Sequence, residues 1–194
     1  MKNQEINMIR ECYQSLMMRY GAENLNEDFL SDLISASELV YLEKNKVVSE
    51  AELLQNFFFI YQGILCGYAK QKKEVIEKIY YRIGNPILAG NILDNQKELD
   101  LVFKAASDAI LIKIPRQKLL AKQNTMDNFL MKAFAVCSQN EIRWYMDLQN
   151  IRGNEIATRC ELFQKRYPDL YHILPKTYLA SLLGMTIQSY LKCE

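Results

Sequence analysis

The sequence predicts an α+β fold: flanking helices, a small antiparallel β barrel or sandwich, a long helix and a small helical C-terminal domain. Three observations predict it. Apolar residues recur at steps of three and four over residues 6–20 and again over 130–151, the period of an amphipathic helix. Between them, residues 39–114 carry short runs rich in Val, Ile, Tyr and Phe, divided by Asn, Gly, Pro and charged residues, the texture of strands and turns. Beyond Gly153-Asn154, which breaks the long helix, short helical patterns run to the end of the sequence.

Taken in order, Ile6, Ile9, Tyr13, Leu16 and Tyr20 define a first helix ending near Gly21. Asn26 is placed to cap a second, with Phe29, Leu30, Leu33 and Ile34 on its buried side. Six strands are expected at Leu39–Leu42, Phe57–Tyr61, Ile64–Ala69, Val75–Tyr81, Asp100–Lys104 and Ala109–Ile114. The second long helix should run from about Met126 to Asn150 and reach about 37 Å at 1.5 Å per residue. Its stripe of Leu130, Phe134, Cys137, Trp144, Leu148 and Ile151 is interrupted only by Glu141. A small barrel cannot cover so long a stripe, which points to a dimer helix built on Leu130, Phe134, Cys137, Trp144 and Leu148. Packing of the stripe on the barrel is the competing reading.

The C-terminal stretch from Leu174 to Glu194 reads as helix, glycine turn and short helix. Ala180 is small where two helices cross closely, and four residues later Gly184 supplies the φ > 0 conformation of an interhelical turn. Thr186 caps the second helix, whose Gln188, Ser189 and Lys192 are polar donors suited to DNA. Lys176 and Thr177 open the first helix, within reach of a DNA backbone.

Composition narrows the class. With 24 Lys+Arg against 23 Asp+Glu the net charge is +1, so any nucleic-acid contact must come from a local patch. Residues 151–194 hold six basic side chains and four acidic ones, a modest +2. Cys12, Cys66, Cys137, Cys160 and Cys193 are odd in number and lack paired spacing, which suits free thiols in a reducing cytoplasm. The polar N-terminus and the shortness of every apolar run predict neither a signal peptide nor a membrane span. A metal-dependent barrel enzyme would need converging histidines, and the chain has only His172. No metal, cofactor or catalytic residue is therefore assigned, and Tyr167, Tyr171, Tyr178 and Tyr190 are read as core of the small domain.

The order of elements resembles the Crp/Fnr family of catabolite-activator-type regulators, in a short form with a cyclic-nucleotide-binding-like barrel (a double-stranded β-helix). The resemblance covers nearly the whole chain. It rests on Phe59-Ile-Tyr-Gln-Gly63, Arg82-Ile-Gly-Asn85, residues Lys104 to Ile114, Arg159-Cys-Glu-Leu-Phe163, Tyr167-Pro-Asp-Leu170 and, most specifically, Pro175 to Thr186. It implies a sensor domain over residues 1–125, a dimerisation helix over 126–152 and a DNA-binding helix-turn-helix domain over 153–194.

Departures from the family qualify the expected ligand. Members that bind a cyclic nucleotide present a Gly-Glu pair and then an Arg with Ser or Thr for the phosphate. Here the first site reads Leu88-Ala89, or Gly90-Asn91 with one insertion, and the second falls on Leu99-Asp100. A Leu-Asp pair offers a phosphate no forked cation and one repulsive carboxylate. The effector pocket implied by the resemblance, at Tyr81, Leu88, Asn91, Leu99 and Asp100, is thus expected to take an apolar or uncharged small molecule, or none, and not a cyclic nucleotide. In the recognition helix, Lys192 stands at the family's arginine position and cannot make its bidentate guanine contact. The sequence also ends at Glu194, where relatives continue with basic residues. The implied function is a cytoplasmic, homodimeric transcriptional regulator on pseudo-palindromic double-stranded DNA. A degenerate member serving as a ligand- or protein-binding module without DNA binding is the alternative.

Overall fold

The computed structural model describes residues 3–18, 27–69, 75–80, 86–87, 101–120 and 123–193. Helices α1 (Asn3–Met18) and α2 (Glu27–Ala36) precede strands β1 (Glu38–Leu42) and β2 (Val47–Val48). Helix α3 (Glu50–Gln55) leads into β3 (Asn56–Gln62), β4 (Leu65–Ala69), β5 (Val75–Tyr80), β6 (Pro86–Ile87), β7 (Leu101–Ala105) and β8 (Ala109–Pro115). Helix α4 (Arg116–Leu120) joins these to the 30-residue α5 (Gln123–Arg152), about 45 Å long. Four short helices follow: α6 (Ile156–Arg166), α7 (Pro168–Ile173), α8 (Lys176–Leu182) and α9 (Ile187–Cys193).

The strands form two four-stranded antiparallel sheets, in the orders β1-β8-β3-β6 and β2-β7-β4-β5. Three buried clusters show how they are layered. Phe58, Ile60, Leu65, Phe103, Ala105 and Leu111 fill the space between the sheets. Phe57, Phe59, Ile112 and Ile114 point the other way and receive Ile9, Tyr13, Leu16, Leu30 and Leu33 of α1 and α2. On the opposite side, Ile64, Cys66 and Ala106 join the core of α5 to α9. β3 is covered on both faces, which is why it reads Phe-Phe-Phe-Ile rather than alternating with polar residues.

The turn from β3 to β4 depends on Gly63. Its φ is +93°, and a Cβ there would lie 2.5 Å from the Asp108 carbonyl oxygen and 2.6 Å from the Ala109 Cα. No other residue satisfies both constraints. Inside the N-terminal layer the buried Ser37 hydroxyl donates to the Leu33 carbonyl at 2.6 Å and receives the Tyr13 hydroxyl at 2.8 Å.

All six expected strands are present, their described ends within one residue of those expected; Tyr81 and Asp100, the expected end of β5 and start of β7, lie outside the described residues. The two-residue strands β2 and β6 and the short helices α3 and α4 are additions to the sequence reading. Each is too short to show a period. The expected ends at Gly21 and Asn26, and the pocket positions Tyr81, Leu88, Asn91, Leu99 and Asp100, lie outside the described residues. No helix among the described residues is long and apolar enough to cross a membrane.

Candidate nucleic-acid interface

The C-terminal lobe is assembled on the end of α5. Leu148 and Ile151 are buried against Cys160, Phe163, Leu179, Leu182 and Leu183, with Trp144 packed beside them. The Trp144 ring meets Phe163 and Tyr167 edge-on at 6.2 and 5.0 Å. Asp147 receives Arg166 at 3.2 and 3.1 Å and also the Tyr167 hydroxyl. Partial burial pushes the Asp147 carboxyl up, but the hydrogen bonds from Tyr167 and Arg166 outweigh it and hold its pKa below the ordinary value.

This arrangement gives the C-terminal part of the α5 stripe a cover within the same chain. Trp144 and Leu148 pack on the chain's own C-terminal lobe, Leu148 fully buried and Trp144 in part. Leu130, Phe134 and Cys137 also lie on α5, with side chains outside the described set. Among the described residues, the exposed large apolar side chains of the helix are Ile142, Tyr145 and Met146, at 62, 55 and 56%.

The turn between α8 and α9 is fixed by backbone geometry. Gly184 has φ +63°, its N–H donates to the Ser181 carbonyl at 3.0 Å, and the Met185 N–H reaches back to Ala180 at 3.0 Å. This is a Schellman closure with glycine in the left-handed position. Ala180 is buried at the crossing, as its small side chain anticipates. Thr186 then caps α9: its Oγ1 accepts the Ser189 N–H at 3.1 Å and lies 3.0 Å from the Ser189 hydroxyl.

Two arginines to which the sequence reading gave no role at the turn complete it. Arg152, the last residue of α5, donates to the carbonyls of Leu182 and Ser181 at 2.9 and 3.2 Å. Arg159 of α6 donates to those of Leu183 and Gly184 at 3.0 and 3.2 Å. These carbonyls lie at the C-terminal end of α8 and in the turn after it, where the Ser181 carbonyl also receives the Gly184 N–H, and a guanidinium there favours the helix dipole. The available signal was indirect: α8 has no basic residue in its own last turn.

The face left outward carries Gln188, Leu191 and Lys192, all exposed, while Tyr190 is buried and Ile187 packs against the lobe's core. Lys176 and Thr177 are exposed at the start of α8. Of the six positions expected at DNA, Lys176, Thr177, Gln188 and Lys192 are exposed, whereas Thr186 and Ser189 are engaged in the cap. Tyr178 and Tyr190 are core residues, Tyr167 and Tyr171 half-buried. His172 is exposed and Cys160 buried. Among the described residues no cluster of His, Cys, Asp and Glu is placed to hold a metal ion.

The lobe rests on the β2-β7-β4-β5 sheet through Tyr178 of α8. Its ring meets Tyr68 at 5.3 Å and its hydroxyl donates to the Gly67 carbonyl at 3.4 Å. Burial pushes the neighbouring Cys66 thiol up to about 12.

No family model matches the sequence, and no curated protein matches it. Solved structures do match the fold. The c-di-GMP responsive global regulator CLP of Xanthomonas campestris is 9% identical with a TM-score of 0.66, covering 87% of this chain and 89% of that one. A CooA mutant of Carboxydothermus hydrogenoformans is 12% identical with a TM-score of 0.60, over 92% and 82%. FixK2 of Bradyrhizobium japonicum is 15% identical with a TM-score of 0.57, over 81% and 82%. These neighbours are Crp/Fnr-family regulators, and the chain has their cyclic-nucleotide-binding-like fold.

Proposed function

We propose that the protein is a homodimeric transcriptional regulator that binds pseudo-palindromic double-stranded DNA through α9, with the β sandwich and α1–α2 as its sensor domain. The observation that carries this reading is the α8–turn–α9 unit. A glycine turn and a threonine cap set a short helix whose inner residues are core and whose outer face carries the donors Gln188 and Lys192, on a fold shared with regulators. Gln188 and Lys192 approach the major groove, and Lys176 and Thr177 hold the phosphate backbone. Thr186 and Ser189 set the pose of α9.

The dimer seam falls on the free face of α5. Ala135, Ser138, Ile142, Tyr145 and Gln149 are exposed and follow one another at steps of three and four, the spacing of a two-helix seam. Pairing there would hold two α9 helices about 34–36 Å apart, one turn of DNA. A signal in the sensor domain would act by changing the relative pose of the two lobes. The pattern at Leu99-Asp100 argues for an uncharged effector or none. A binding role in the cytoplasm, without catalysis or a bound cofactor, completes the reading.

The test is selection of bound fragments from genomic DNA at two salt concentrations, with the Gln188→Ala/Lys192→Ala double variant alongside. A shared two-fold motif, lost in the variant while the dimer persists, is the expected result. Motif-free binding, or none, with and without added cell extract as a source of effector, would favour the binding module that lacks DNA recognition.

A further inference from the structure

The ridge that α9 turns outward contains one residue that is not a donor. Leu191 is 54% exposed. It sits one turn beyond Gln188 and beside Lys192, both exposed, with Ser189 drawn toward the cap. Beneath it, Tyr190 is 1% exposed and its ring lies 6.5 Å from that of Tyr171. The ridge is therefore an amide, a branched hydrocarbon and an ammonium at positions i, i+3 and i+4, on a helix held by its own core.

An amide next to a hydrocarbon matches a particular pattern in the major groove. A glutamine pairs bidentately with adenine N6 and N7, and the apolar group displayed there is the thymine C5 methyl. Three helical residues rise about 4.5 Å and successive bases of a strand about 3.4 Å, so the two side chains meet neighbouring base pairs. Resting on the reading of α9 as a DNA-reading helix, we infer that Gln188 reads an adenine and Leu191 the thymine methyl of the adjoining pair. Each half-site is then specified by an A·T step, and Lys192 adds phosphate attraction that carries no sequence information.

Binding of the full-length protein to the motif recovered from random duplex DNA tests this. The motif should contain two adjoining A·T pairs in each half-site. Replacing the contacted thymine by uracil removes only the methyl group and should weaken binding about four-fold, the worth of one buried methyl. Leu191→Ala should bind the thymine and uracil forms equally. Gln188→Ala should lose the adenine preference and keep the uracil effect. Because Leu191 is exposed, its variant should keep the wild-type melting temperature, which is checked in parallel. A shared motif with G·C at these positions, or one in which every thymine tolerates uracil, overturns the inference and leaves DNA binding standing. Failure to recover any motif overturns both.

Discussion

Two helical layers lie on opposite outer faces of the sandwich, and they are attached differently. α1 and α2 meet their sheet through a continuous hydrocarbon and aromatic surface, Ile9, Tyr13, Leu16, Leu30 and Leu33 against Phe57, Phe59, Ile112 and Ile114. The C-terminal lobe has a core of its own, centred on Phe163, Leu170, Leu174, Leu182 and Leu183, and meets its sheet around Ile64, Cys66, Ala106, Tyr68 and Tyr178. The first is a layer of the sheet's core and stays as long as the sheet does. The second is a body resting on the sheet that would keep most of its own core if it separated.

The largest test of this difference is Phe59→Ala. It removes an aromatic ring that is 1% exposed and meets Tyr13 edge-on at 5.6 Å. A loss of about 3–5 kcal/mol is expected, read in denaturant as destabilisation of α1, α2 and the sandwich together. Separate loss of the helices would break the contrast. Next comes Gly184→Ala, which forces a side chain into φ +63°. It should cost about 1–2 kcal/mol, confined by hydrogen exchange to the C-terminal lobe.

Tyr68→Ala sharpens the comparison at the docking patch. About 1 kcal/mol of ring-ring contact is lost while the lobe's own core is untouched. The readout is Cys66, whose buried thiol is pushed up to about 12 and should be inert at neutral pH in the native protein. Its alkylation should accelerate in the variant, with no matching loss of α1–α2 protection. The smallest effect is Asp147→Asn, about 1 kcal/mol or less, at the junction of α5 with α6 and α7. Because the folded pKa of Asp147 is lowered, its contribution is complete above the unfolded value near 3.9 and disappears as pH falls through the folded one. Wild type and variant should therefore converge in stability at low pH.

The sheet and the C-terminal turn were legible because their signals are local. The β3 run of Phe57 to Ile60, and the spacing of Ala180, Gly184 and Thr186, each name an element by chemistry within a few residues. The α5 stripe was legible as a stripe, but the lobe that covers its end was not. Periodicity shows which face of a helix is apolar, and Trp144 and Leu148 are covered by Phe163 and Leu183, far along the chain. Arg152 and Arg159 were invisible for the same reason: their acceptors lie 29 and 30, and 24 and 25, residues away. Leu191 was passed over because an apolar residue in a short helix resembles core until its exposure is known.

The two arginines make the turn before α9 a surveyor's station sighted from two fixed points. Arg152 fixes it from the end of α5, Arg159 from α6, and the α8 backbone supplies the third leg. α9 is about 10 Å long, so positional slack of about 0.5 Å at the turn would swing its far end by about 3°, inside the tolerance of a working site. One of those legs is the terminal residue of a helix about 45 Å long. A twist of that shaft that moves Arg152 would therefore move the anchor from which α9 is aimed.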